Sequence, residues 1–214
     1  MFTGFSPETI DFLWGIRLNN NRDWFMEHKK DYQQTLYEPM KALAQQVFEP
    51  FRDVPNMACK VSRIYKDARM HPAVPYKESL WLSMRPEDLP WSEQPTLYFE
   101  IRPEGYSYGF ILWKPRAEMM EKYRAMLQAR PNEFPELVRT VSEASGVPFH
   151  GELYHRKKPC PDPAVEPYFN VKSIFMDVER GPDALLFSPE LASEVSQTLQ
   201  ALYPLYEYCL KFTT

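Results

Sequence analysis

Between Ser62 and Lys77 the sequence SRIYKDARMHPAVPYK gathers Arg63, Lys66, Arg69 and Lys77 around Tyr65, His71 and Tyr76, with a single acid, Asp67, in a chain whose net charge is −4. Cations this close repel one another, so a fold keeps them either spread into solvent or offset by a negatively charged partner. Read as an extended segment, Val61 through Arg69 sets Arg63, Tyr65, Asp67 and Arg69 on one side, and neither side is apolar enough to be a plain core face. Arg63 and Arg69 then offer forked donors to a phosphate or carboxylate. Asp67 orients one guanidinium, Tyr65 supplies a hydroxyl, and Tyr76 and Lys77 close the site from the turn after Pro75. Lys66 supports the cluster, and Lys172, which enters a later strand with Ser173, adds a further cation. Asp67 and His71 are the proton-transfer candidates should the ligand be turned over. The competing reading makes Asp67 a structural ion-pair partner of Arg63 or Arg69, beside solvated lysines.

Other chemistries lack their signatures. The chain has no GxSxG, no P-loop and no GxGxxG, which leaves serine hydrolysis, P-loop nucleotide hydrolysis and Rossmann redox chemistry without support. Its three cysteines, Cys59, Cys160 and Cys209, are far apart, so neither a disulfide framework nor a thiolate zinc site is expected. Cys59 beside Lys60 reads either as a thiol made acidic by a cation or as a buried structural cysteine. His150 and His155 flank Glu152 at the wrong spacing for a helical zinc site, and His28 and His71 have no partner adjacent in sequence, so no metal site is predicted. No cofactor is indicated. Tyr98, Tyr106 and Tyr108 read either as a stacking platform for bases or as cross-strand aromatic packing. Arg156-Lys157-Lys158 is a basic run that reads as solvated or as a contact for an acidic partner.

The elements that must hold these residues are marked by local signals. Ser6-Pro7-Glu8 starts a helix running to about Leu18. Asn21 caps a second, whose Tyr32, Leu36, Met40, Leu43, Val47 and Phe51 form one apolar stripe, with Pro39 predicting a kink or a division. From Lys60 onward the texture becomes β-branched and aromatic. Strands are expected at Val61–Lys66 and Ser79–Met84, and a hairpin joins Thr96–Arg102 to Tyr106–Trp113 through Pro103-Glu104-Gly105, with Leu97, Phe99 and Ile101 on one face. Helices follow at Pro115–Ala129 and Asn132–Ala144, and short strands at Leu153–Arg156 and Ser173–Val178. Ser188-Pro189-Glu190 opens a last helix with Leu191, Val195, Leu199, Leu202 and Tyr206 on its stripe.

In their order and spacing FSPETIDFL, NNNRDWF, SRIYKDAR followed by PYK, YFEIRPEG, and KSIF before SPEL make the chain resemble the domain of unknown function 2461 family, a group of mostly bacterial proteins. The resemblance runs nearly end to end. It implies an architecture, one α+β domain with helices first, a sheet in the middle and a helix at the end, and it brings no catalytic residues.

Size and composition agree with that outline. At 214 residues with a hydrophobic fraction of 44%, and with no linker in sight, the chain predicts a single α+β domain over 1–214. Its expected layout is N-terminal helices, a central, largely antiparallel sheet containing the hairpin, and a C-terminal helix. The acidic balance argues against a surface that grips nucleic acid as a whole, although a local basic patch is compatible with it. The amino terminus lacks a cationic n-region and no window is long and apolar enough to span a bilayer, which predicts a soluble, unprocessed, cytoplasmic protein with no membrane partner. The functional expectation is binding of, and turnover if any on, a small anionic ligand bearing phosphate or carboxylate. The alternatives are a module for single-stranded nucleic acid and a protein-interaction module.

Overall fold

Helix α1 (Pro7–Leu18) begins where Ser6-Pro7 predicts, with the Ser6 N–H donating to Thr9 Oγ1 at 3.1 Å. Proline at the first helical position forfeits no hydrogen bond, because that amide has no intrahelical acceptor. Asn21 Oδ1 accepts from the Trp24 N–H at 3.0 Å and starts α2 (Arg22–Glu27). A short α3 (Lys29–Asp31) leads through a π-helical turn, Tyr32–Tyr37, into α4 (Glu38–Phe48). The division that Pro39 predicts is realised here. Pro39 has no N–H to offer the Thr35 carbonyl, and the hydroxyl of the fully buried Thr9 donates to that carbonyl instead at 2.6 Å. The stripe from Tyr32 to Phe51 is buried along its whole length.

The computed structural model describes residues 1–67, 69–70, 73–87 and 93–213. Its strands are β1 (Met57–Val61), β2 (Leu80–Pro86), β3 (Thr96–Arg102), β4 (Gly105–Leu112), β5 (His150–Leu153) and β6 (Val171–Arg180). They form one six-stranded antiparallel sheet in the order β1-β2-β3-β4-β6-β5. The remaining helices are α5 (Ala117–Ala129), α6 (Glu133–Ser145), α7 (Glu166–Phe169) and α8 (Glu190–Thr213). The class is α+β, with helices first and a helix last. The hairpin lies where the sequence puts it, with Leu97, Phe99 and Ile101 fully buried and Tyr98, Glu100 and Arg102 half-buried on the opposite face. The stripe of α8 is likewise buried from Leu191 to Tyr206.

Two strand boundaries differ from expectation. β1 ends at Val61, where a strand was to begin; Ser62 still engages Trp81, giving its N–H to the Trp81 carbonyl at 2.7 Å and accepting the Trp81 N–H on Oγ at 3.2 Å. Beyond it only Tyr65 pairs, as an isolated antiparallel bridge to Tyr76. β5 stops at Leu153 rather than starting there, because the register against β6 shifts between Glu152 and Leu153.

The chain divides into two compact units. One comprises Met1–Met84, Tyr98–Tyr108 and Glu179–Ser196; the other comprises Arg85–Leu97, Gly109–Val178 and Gln197–Thr214. The first buries Phe5 stacked on Phe99 at 5.9 Å, with Tyr106 and Tyr108 beside Phe99. The second is built around Phe134, whose ring meets Tyr123, Tyr168 and Tyr208 at 5.1–5.4 Å. Gly105, at φ +148°, lets the hairpin pass the end of β6: a Cβ there would lie 2.0 Å from the Arg180 carbonyl oxygen. Gly105→Ala is expected to cost about 3 kcal/mol of stability, read from the urea midpoint, since both the dihedral and the clash oppose it.

Candidate functional site

Two backbone hydrogen bonds join the basic stretches: Lys66 N–H to the Pro75 carbonyl at 2.8 Å and Lys77 N–H to the Ile64 carbonyl at 2.7 Å. They flank the Tyr65–Tyr76 bridge. Ile64 and Tyr76 are buried, contrary to the expectation that neither side of this segment faces the core. The Tyr76 ring stacks on Phe25 at 4.2 Å, and the half-exposed Tyr65 meets Phe25 edge-on at 5.7 Å. Asn20 completes the anchor. Its Nδ2 donates to the Tyr76 carbonyl and its Oδ1 accepts the Tyr76 N–H, both at 3.0 Å, so one amide satisfies a backbone unit that no strand pairs. The sequence shows Asn20 only as part of a polar break between helices; its clamping role needs the tertiary contact.

The cations around this bridge divide by partner. Arg63 is exposed and Lys66 half-buried, and among the described residues neither makes an ion pair or a side-chain hydrogen bond. Arg69 is committed: its Nε and Nη2 donate to Asp67 Oδ1 and Oδ2 at 3.0 and 2.7 Å. The chain turns there, with Met70 N–H donating to the Asp67 carbonyl at 3.0 Å and Arg69 N–H to Asp67 Oδ1 at 3.0 Å. The extended reading therefore stops at Asp67, because the carboxylate folds the backbone back on itself. Lys77 is half-buried, with its ammonium 5.6 Å from the Trp81 ring centroid. Burial lowers its pKa, and the Glu100 charge offsets part of that. Burial and the neighbouring Tyr65 phenol raise the Tyr76 pKa, while the charge of Arg22 lowers it. Arg22, first residue of α2, is thus a cation near the bridge that the sequence reading missed; the only signal for it is its place directly after the Asn21 cap.

The remaining candidates fall elsewhere. His71 lies outside the described residues. Lys172 belongs to the second unit, where its Nζ donates to Glu152 Oε1 at 2.6 Å, and Ser173 is fully buried with its hydroxyl 3.4 Å from Glu152 Oε2. That ammonium bond holds the Glu152 carboxyl below the usual range.

Two sequence readings are settled by burial. Tyr106 and Tyr108 are buried, their hydroxyls donating to Asp183 at 3.0 Å and Glu194 at 3.2 Å, so they are packing residues and not a stacking platform. Burial pushes the Cys59 thiol up to about 12, which overrides the adjacent Lys60 and leaves a structural cysteine. His28 stacks on Trp24 at 4.1 Å, its Nδ1 lying 2.9 Å from the Trp24 carbonyl oxygen. His150 pairs with Asp177 at 2.5 Å. Among the described residues no group of His, Cys, Asp and Glu could hold a metal ion, and no helix is long and apolar enough to cross a membrane.

What remains around the bridge is an arrangement suited to holding negative charge: two cations without described carboxylate partners, a desolvated ammonium, and a half-exposed phenol. A family model described as a conserved hypothetical protein, DUF2461, matches residues 8–208. No curated protein matches the chain.

Asn20→Ala should cost about 1–3 kcal/mol, since it strands a buried donor and acceptor on Tyr76. Chemical denaturation measures the loss, and faster amide exchange at Lys66 and Lys77 would localise it to the bridge.

Proposed function

The chain belongs to the DUF2461 family, whose description names no activity, and we propose from its side chains that it binds a small anionic ligand bearing phosphate or carboxylate in the first unit, on the face carried by the Tyr65–Tyr76 bridge. Arg63, Lys66 and Lys77 hold the anion, Arg22 adds to the field, and the Tyr65 hydroxyl is available to hydrogen-bond it. The observation that carries this reading is the contrast in partners. Arg69 is matched by Asp67 and Lys172 by Glu152, whereas Arg63 and Lys66 have no carboxylate partner among the described residues although the bridge fixes their segment. Asp67 is engaged by Arg69 and orients that guanidinium in this scheme. The single-stranded nucleic-acid alternative keeps only Tyr98 of its stacking element, with Tyr106 and Tyr108 buried.

Lys77 gives the reading a pH signature. Its pKa is depressed by desolvation, and an anion beside it favours the charged form, so binding takes up a proton and weakens as pH rises through the depressed value. In a thermal-shift panel of phosphorylated and carboxylated metabolites, a true ligand raises Tm with one-site saturation, by the equivalent of about 2.7 kcal/mol at a hundred times Kd. The Arg63→Ala, Lys66→Ala double variant is expected to keep its ligand-free stability to within about 1 kcal/mol, since neither side chain has a described partner to lose, and to lose that response. A silent panel, a double variant that unfolds, or a response growing with oligonucleotide length would each defeat the reading.

A further inference from the structure

In the second unit a cleft of about 430 Å³ lies between α5 and the Lys158-Pro159 loop, with Phe169 on its wall. That volume is within the range of small-molecule sites. Arg124 lines it from α5. This side chain is only 8% exposed, and among the described residues its guanidinium has no ion pair and no hydrogen bond; none of its nitrogens is fully buried, so the little exposure it keeps includes the guanidinium at the cleft. Charged side chains buried to this degree are normally compensated, because desolvation is costly unless a counter-charge or hydrogen bonds replace the lost water. The nearest carboxylate in sequence on the same helix, Glu121, is 3.7 Å from the Lys158 ammonium. With that pair neutral as a unit, the cleft carries one uncompensated positive charge.

The walls are built. The Lys158 N–H donates to Asn170 Oδ1 at 2.8 Å and Asn170 Nδ2 donates back to the Lys158 carbonyl at 3.0 Å, which pins a loop that is otherwise irregular. Asn170 is itself buried. The Tyr123 hydroxyl donates to the Tyr168 carbonyl at 3.2 Å, tying α5 to α7. Pro159 and Phe169 are the apolar lining, and Gln128 contributes an amide.

We infer that this cleft binds a small organic monoanion, with its carboxylate or phosphodiester group on the Arg124 guanidinium and its apolar body against Pro159 and Phe169. Glu121 at the same cleft disfavours dianions, because a second negative charge would meet a carboxylate. This site is independent of the basic bridge: it lies in the other unit and uses none of the same residues.

Calorimetric titration at low salt with benzoate, methyl phenyl phosphate and uncharged benzyl alcohol tests it. At least one of the two anions binds at a single site in the parent chain and in the Arg63→Ala, Lys66→Ala variant, and benzyl alcohol binds at least tenfold more weakly. The anion preferred identifies the ligand group as carboxylate or phosphodiester. Arg124→Met loses binding at least tenfold while its ligand-free Tm stays level, since the guanidinium has no ion pair or hydrogen bond to lose and Met keeps the apolar stem packed. Gln128→Glu, at an exposed position, weakens binding by repulsion without touching Arg124. No binding of either anion, binding unchanged in Arg124→Met or Gln128→Glu, or a lowered Tm in ligand-free Arg124→Met would overturn the inference.

Discussion

The antiparallel bridge between Ile64–Lys66 and Pro75–Lys77 is the constraint on which the charged face depends. Two stretches rich in cations repel, but at a wet surface the repulsion between unit charges a few ångströms apart is on the order of 1 kcal/mol per pair and falls with salt. Against it stand two backbone hydrogen bonds, the Asn20 amide clamped on Tyr76, the burial of Ile64, and the stacking of Tyr76 on Phe25. Burying a large apolar side chain contributes roughly 1.5–3 kcal/mol and each net hydrogen bond about 1 kcal/mol. Packing therefore wins, and the charges are carried where the buried side of the segment holds them.

Elsewhere several cations are met by carboxylates. Arg17 meets Glu78 and Glu104, Arg102 meets Glu179, Arg180 meets Asp183, and Lys172 meets Glu152. These pairs join residues far apart along the chain as well as near neighbours, such as Arg17 on α1 with Glu104 at the hairpin turn and Arg180 with Asp183. Arg63, Lys66 and Arg124 stand outside that pattern among the described residues, for opposite reasons of environment. The first two are accessible cations on a fixed segment, where water compensates them until an anion arrives. Arg124 is only 8% exposed, its stem packed and its guanidinium reaching water only at the cleft.

Helix starts and the hairpin were legible because their causes are local: Ser6-Pro7 and Asn21 act within one turn, and Pro103-Glu104-Gly105 sets the two strands beside each other through the chain itself. The strand ends were not, since β1 stops where the Ser62 side chain takes up the Trp81 amide and β5 stops at a register shift against β6. The same distinction divides the site. The charge inversion between Arg63 and Lys77 is plain in the residues, but Asn20, Phe25 and Arg22 come from a helical region distant in sequence. Cys59 beside Lys60 reads either as activated or as a buried structural cysteine, and burial, a quantity that no neighbour in sequence reports, decides for the second.

By itself the sequence determined the α+β class, the starts of α1 and α2, the hairpin and the sign of the charge between Arg63 and Lys77, because caps, turns and side-chain charge act over a few residues. Only the tertiary structure decided which charges are answered. Asp67 was free to choose Arg63 or Arg69 until the chain turned toward Arg69, and Arg124 looked like any helical arginine until packing withdrew it from water. Compensation of charge depends on distances of a few ångströms between segments far apart along the chain, and that information exists only once the backbone has closed on itself.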